Sequence, residues 1–327
     1  MTSQYPPPNA AGAQQFRAVH DSVLTEVERA VKGKTAAIRL ALACLFAGGH
    51  LLIEDVPGTG KTSLAKALAT STAGGWHRIQ FTPDLLPGDI TGVSVWDQVA
   101  QEFKFRPGPV FANIVLADEI NRASPKTQSA LLEVMEEGQV TVDGLAHPVP
   151  APFLVVATQN PIDLEGTYQL PEAQLDRFLM RIALGHPDLD VETEILTGRA
   201  QAAPPSLRPV TDLQQVEWMQ QAASTAHAAP EVIRYVALLA KATREHTALR
   251  LGVSTRGSLA LVRAAQAYSS GWGRHFVTPD DVRAVAGPVL THRLVLNAQA
   301  EVRGGNAAAV LAEIMATVPA PVPATVG

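Results

Sequence analysis

Two adjacent carboxylates, Asp118 and Glu119, close the apolar run Ile114–Ala117. Upstream, Val56-Pro57-Gly58-Thr59-Gly60-Lys61-Thr62-Ser63 places glycines, a lysine and hydroxyls between a short apolar segment and a helical pattern. Glycines let the backbone approach a phosphate chain, consecutive N–H groups form an anion nest, and a following helix N-terminus adds favourable potential. In that setting Lys61 reaches the β- and γ-phosphates and the Thr62 hydroxyl ligates Mg²⁺. Asp118 then suits holding Mg²⁺ through a bound water, and Glu119 suits orienting or activating the water that attacks the γ-phosphate. By itself the acid pair reads equally well as a structural hydrogen bond or helix cap at a strand end; the phosphate loop favours the nucleotide reading. Asn160 ends the next apolar run, where its amide could polarise the same water or simply open an Asn-Pro turn. The strict loop pattern wants glycine at 55, and Asp55 stands there, expected to repel a nucleotide from the loop's mouth.

These residues need a sheet to hold them. Apolar runs at 51–53, 76–81, 113–118, 153–157 and 178–184 predict strands, and helical patterns lie between the earlier ones. A strand buried on both faces carries no polar alternation, as at 114–117. Ligands of open α/β sheets gather at the carboxyl ends of such strands, where Asp118, Glu119 and Asn160 fall. Two stretches do alternate: 93–106 and 140–149, the latter around Asp143-Gly144, predict hairpins. Beyond Asp188 only helical patterns occur. The expected plan is a tail at 1–13, an α/β nucleotide-binding domain at 14–187, an all-α domain at 188–317 and a flexible tail at 318–327.

Composition narrows the class. Hydrophobic residues make up 46% of the 327-residue chain and charged residues 17%, which suits a folded globular protein with a large core. Net charge is −5, so bulk electrostatics leave no nucleic-acid footprint. The single cysteine, Cys44, lies in an apolar run and reads as a buried hydrophobe. No apolar stretch reaches the ~18 residues of a membrane span, and the N-terminus lacks a signal pattern. A cytoplasmic protein without membrane insertion is expected.

Several motifs in order resemble the MoxR family of AAA+ ATPases: Gly48-Gly49-His50, the loop at 56–62, Gln80-Phe81-Thr82-Pro83-Asp84-Leu85-Leu86-Pro87, Ala117–Arg122, Ala157–Pro161 and Leu170–Phe178. The resemblance covers residues from about 14 to 300. It implies an α/β P-loop NTPase core with a five-stranded parallel sheet, two β-hairpin inserts and a smaller helical lid. It also implies ATP and Mg²⁺ as ligands. Asn160 falls at the family's sensor 1, Arg177 at the arginine finger that acts on a neighbouring subunit, and Arg256 at sensor 2. Val31, Gly33 and Lys34 match the segment beside the adenine. Gln80 matches a residue that restrains the catalytic glutamate, or else is an ordinary strand-surface residue.

The resemblance further implies a homo-oligomeric ring, a hexamer in the family, acting on a protein client. A partner with a von Willebrand factor A domain and maturation of protein complexes are family associations. A magnesium-chelatase-like motor subunit is the alternative within the clade. A nucleic-acid motor would call for basic hairpins, but only Lys104 and Arg106 lie on the first and no Lys or Arg lies at 140–149. A nucleotide-binding switch with weak hydrolysis is the third alternative. His292-Arg293 matches the family without evident chemistry. Glu133, Glu136, Glu137 and Asp143 lack metal-ligand spacing and read as solvated.

Overall fold

The computed structural model describes Tyr5 and residues 9–161, 167–197 and 206–321. In chain order the first part holds α1 (Ala10–Glu28), α2 (Thr35–Phe46), β1 (Leu51–Glu54), α3 (Lys61–Ser71), β2 (Trp76–Gln80), α4 (Pro87–Thr91), β3 (Gly92–Asp97) and β4 (Glu102–Pro107). Then come β5 (Ile114–Asp118), α5 (Pro125–Glu137), β6 (Gln139–Val142), β7 (Leu145–Pro148), β8 (Leu154–Gln159), α6 (Glu172–Leu175) and β9 (Met180–Ile182). The remainder is α7 (Leu189–Leu196), α8 (Leu213–Ser224), α9 (Pro230–Glu245), β10 (Leu249–Leu251), α10 (Thr255–Gly271), α11 (Pro279–Leu290), β11 (Val295–Leu296), α12 (Ala298–Val302) and α13 (Ala307–Thr317).

The five parallel strands order as β2-β5-β8-β1-β9. Every residue of β5 and β8 is buried, the condition expected of central strands covered on both faces. Successive side chains of β5 serve opposite faces: Ile114 and Leu116 join the apolar cluster with α1–α3, while Val115 and Ala117 join the one with α5. The edge strand β2 is largely exposed, and its Arg78 and Gln80 face the site.

His50 pins the opposite, amino-terminal edge of this sheet. Its Nδ1 accepts from Val155 N (3.0 Å), and its Nε2 lies 3.0 Å from Met135 O near the end of α5. Burial pushes its pKa from 6.5 down to about 4, so it folds neutral. The unfolded chain therefore takes up the proton first, and stability present above pH 6.5 is lost as pH falls toward 4. His50 alone should cost about 2 kcal/mol by pH 5. Melting temperatures at pH 7.5 and 5.0 should fall by several degrees, and His50→Asn should flatten that dependence between pH 6.5 and 5. Equal slopes in the two proteins would count against His50 as a source.

Three expectations shift. Helix α1 already begins at Ala10, capped by Asn9 Oδ1 accepting from Ala11 N (3.0 Å) and Gly12 N (3.2 Å), so residues 10–13 are not tail. At the other end Val318 and Ala320 pack on the core; the expected tails at 1–4, 6–8 and 322–327 lie outside the described residues. The helical region is not all-α: β10 pairs antiparallel with β11. Its core is also continuous with the α/β part, because Leu42 and Phe46 of α2 share one apolar cluster with Met219, Leu261 and Ala264.

Candidate active site

At the carboxyl edge of the sheet, Pro57, Gly58, Gly60, Lys61, Thr62, Ser63, Arg78, Asp118, Glu119 and Asn160 line one cleft of about 400 Å³. The loop adopts its shape because Gly58 (φ +85°) and Gly60 (φ +95°) enter the left-handed region that other residues avoid. Helix α3 starts at Lys61, so the N–H groups of Lys61, Thr62 and Ser63 are its first-turn donors, which no intrahelical carbonyl can satisfy. The Lys61 ammonium folds onto the loop, donating to Asp55 O (2.6 Å) and Val56 O (3.1 Å). Thr59 turns inward, donating to Val56 O (3.3 Å). Val31 abuts Gly60 without lining the cleft, and Gly33 (φ +71°) faces Val191 and Asp188.

Asp55 behaves contrary to expectation. Its carboxylate is buried and accepts from Val56 N (2.9 Å), Leu184 N (2.9 Å) and Gly185 N (2.7 Å). Three backbone donors satisfy its oxygens and tie the loop's start to the chain leaving β9. It does not face the cleft as a repulsive charge.

The acid pair sits in a hydrogen-bond network that crosses three strands. Thr158 Oγ1 donates to Asp118 Oδ1 (2.6 Å) and accepts from Glu119 N (2.8 Å). Asp118 Oδ2 accepts from Arg78 Nη2 (2.6 Å) and Nε (3.1 Å), and Arg78 Nη2 also donates to Gln80 Oε1 (2.8 Å). Gln80 Nε2 donates to Glu119 Oε2 (3.0 Å), which Arg122 Nε also approaches to 3.0 Å. Glu119 itself lies at φ +56°, ψ +49°, a conformation costly for a residue with a side chain and common at functional positions. Thr158 and Arg78 escape sequence reasoning. Thr158 looks like one more residue of a buried strand, and Arg78 like the exposed side of an edge strand.

The donor set suits Mg²⁺. The Thr62 hydroxyl and Asp118 carboxylate are hard oxygen donors in one cleft, and Mg²⁺ typically takes one or two protein ligands with phosphates and water. Among the described residues no cluster of three or more His, Cys, Asp or Glu is placed to form an all-protein metal cage.

Arg177 and Arg256 are not at this cleft. Arg177 Nη2 and Arg256 Nη1 each lie 3.1 Å from the Glu136 carboxylate, at the end of α5. Glu136, expected to be merely solvated, holds both. Two residues past Arg177, Leu179 donates from its N to His50 O (2.8 Å) where β1 begins, which places this cluster at the amino-terminal edge of the sheet. Strands of four to six residues separate the two edges by roughly 13–20 Å. Neither arginine reaches the cleft lined by Lys61 and Glu119 in its own chain.

The two hairpins stand together. Asp143 accepts from Ser94 Oγ, and His147 stacks on Phe105 with ring centroids 4.1 Å apart. Asp143 is thus also engaged rather than merely solvated. Trp96 and Phe103 pack edge to face (5.1 Å) yet stay 49% and 69% exposed, leaving an aromatic surface on the first hairpin.

Comparison with known proteins gives the same organisation. The family described as "ATPase family associated with various cellular activities (AAA)" matches residues 50–180, and "AAA lid domain" matches residues 241–314. An uncharacterized protein, YeaC, of Bacillus subtilis is 48% identical over 90% of this chain and 93% of its own length. Chaperone MoxR1 of Mycobacterium tuberculosis is 41% identical over 89% of this chain and 79% of its own. A crystal structure of a Cytophaga hutchinsonii protein assigned as an ATPase superposes with a TM-score of 0.88 at 36% identity, covering 95% of this chain and 97% of that one. No helix among the described residues is long and apolar enough to cross a membrane.

Proposed function

Since the chain belongs to the MoxR family of AAA+ ATPases, we propose that it hydrolyses ATP at a site completed by a second copy of itself, and uses the cycle to remodel protein complexes. The observation that carries this reading is the separation of the cleft from Arg177 and Arg256. A cation that faces the opposite edge of its own sheet can serve catalysis only in a neighbour. A head-to-tail contact that repeats this arrangement generates a ring, and six copies is the expected number.

In the proposed reaction the loop amides and Lys61 hold the phosphate chain. Glu119 and Asn160 position the water in line with the γ-phosphorus. Mg²⁺ at Thr62 and Asp118 would offset charge on the phosphate oxygens. Gln80 and Arg122 hold the Glu119 carboxylate while no substrate is bound, and Arg78 neutralises Asp118. Arg177 and Arg256 of the adjacent copy stabilise the charge of the transition state, leaving Glu136 to do so. Val31 and Gly33 border the adenine.

The client is proposed to be a protein, with a von Willebrand factor A domain partner as the first candidate. The exposed aromatic surface on the first hairpin suits a protein better than a phosphate backbone, and the Mycobacterium tuberculosis relative is named a chaperone. The test is a dilution series. Specific ATPase activity, measured with Mg²⁺, should rise with protein concentration in step with oligomer formed in sedimentation. Constant specific activity down to the monomer would overturn the shared site.

A further inference from the structure

His292-Arg293, the pair without evident chemistry in the sequence, lies in the 3₁₀ turn after α11 and is buried. The Arg293 guanidinium makes six polar contacts, one from Nη1 to His292 Nε2 (2.8 Å) and five to oxygen. One, on Nη1, goes to Val289 O of its own helix. The other four go to a single short segment: Nε to Asp176 Oδ1 (2.6 Å), Nη2 to Asp176 O (3.1 Å) and Phe178 O (2.7 Å), and Nη1 to Leu179 O (3.3 Å). His292 Nε2 lies 3.1 Å from the same Phe178 O. These acceptors flank Arg177 on both sides.

The start of α10 packs on the same guanidinium. A Cβ on Gly257 would stand 3.0 Å from Arg293 Cδ, so the residue after Arg256 must be small for the arginine stem to pass. Arg256 Nε in turn lies 3.8 Å from Asp176 Oδ2. The turn bearing Arg177 is therefore fastened to the helical region as well as to the sheet, which it meets through Phe178 and through Leu179 N on His50 O.

We infer that Arg293 is a positioning residue that clamps the Asp176–Leu179 turn to the helical region, so that Arg177 moves with that region of its own chain. This rests on the reading of Arg177 as a residue that serves a neighbour. Its consequence is directional. A shift of the helical region in one copy changes the Arg177 that it presents to the next copy, while its own cleft keeps its loop, acids and Asn160. Catalysis would be coupled around the oligomer through this one buried side chain.

The clamp needs a fork. Lysine keeps the charge but carries its donors on one atom and cannot span four acceptors. Arg293→Lys should lower kcat at least tenfold with the KM for ATP within about twofold, because its own cleft is untouched. The decisive measurement mixes full-length Arg293→Lys with equimolar Glu119→Gln. The second variant has a dead cleft and a sound Arg177, so the mixture should exceed both parents. A defect that merely damaged the fold would lie in the same subunit as the sound Glu119 and would not be rescued.

Hydrogen exchange provides a readout apart from activity: amides in 172–180 should exchange faster in Arg293→Lys, with those in 51–64 unchanged. Asp176→Asn, which removes the charge that strengthens the bond from Arg293 Nε but keeps an amide oxygen, is milder, should show the same pattern more weakly, and serves if Arg293→Lys fails to fold. Undiminished kcat, or no rescue when an Arg177→Ala plus Glu119→Gln control does recover, overturns the clamp. If that control fails as well, the reading of Arg177 falls and the clamp with it.

Discussion

Glu119→Gln should bind ATP as the unaltered chain does and turn it over at least a hundredfold more slowly. The amide is isosteric and can still accept from Gln80 Nε2, which lies 3.0 Å from the carboxylate. The backbone that aims it is held independently, by the Glu119 N–H donating to Thr158 Oγ1 at 2.8 Å. Geometry is therefore preserved, and what disappears is the negative charge. A neutral amide cannot take up the proton of the attacking water, and loss of such a base typically costs 10²–10⁴ in rate. Binding rests on other groups: the loop amides, Lys61 and Thr62. Steady-state turnover and titration with a fluorescent ATP analogue separate the two effects. Turnover near that of the unaltered chain would remove Glu119 from the role of base and leave Asp118 as the other carboxylate lining the cleft among the described residues.

That prediction was within reach of the sequence because a buried strand has a readable signature and so does a phosphate loop. Ile114–Ala117 is apolar without alternation, and Asp118-Glu119 interrupts it abruptly. Apolar runs made the five strands legible, and the opposite pattern, alternation with Asp143-Gly144 at one turn, made both hairpins so. What was hidden depends on partners far along the chain. Arg78 looks like any polar residue on an edge strand until β2 is laid beside β5 and its guanidinium meets Asp118. Glu136 looks like the solvated face of α5 until the helical region brings Arg256 to it.

Asp55 was misjudged in sign. Residue type told of a charge at the loop's mouth, but only the return of the chain through Leu184 and Gly185 provides the donors that turn it away. The β10–β11 pair escaped for a simpler reason, since strands of three and two residues are too short to display a period. The continuous core escaped because apolar helix faces show that they are buried without showing against what.

Arg177→Ala should produce the largest loss, of about 10³–10⁵ in kcat, the range associated with arginine fingers. It should do so with little change in stability. The Arg177–Glu136 ion pair leaves the two side chains 29% and 38% exposed, and Arg256 remains to neutralise Glu136. Pairs in that position contribute about 0–1 kcal/mol, so an unchanged melting temperature would exclude unfolding as the cause of the lost rate. The cleft itself is unaltered in this variant, since its lining lies at the other edge of the sheet. Its sound clefts should therefore respond to an Arg177 supplied by another copy. Equimolar Glu119→Gln supplies it, and in a randomly mixed head-to-tail ring about one interface in four then pairs a sound cleft with a sound arginine. Activity near a quarter of the unmixed, unaltered protein is the expected outcome, against almost none in either variant alone. Full activity in Arg177→Ala by itself would refute the assignment. The size of the recovery matters as much as its presence: a value well above both parents yet below one quarter would mean that one dead cleft silences its neighbours, the behaviour expected if each copy passes its state to the next through the turn that bears Arg177, whereas no recovery at all would overturn the shared site.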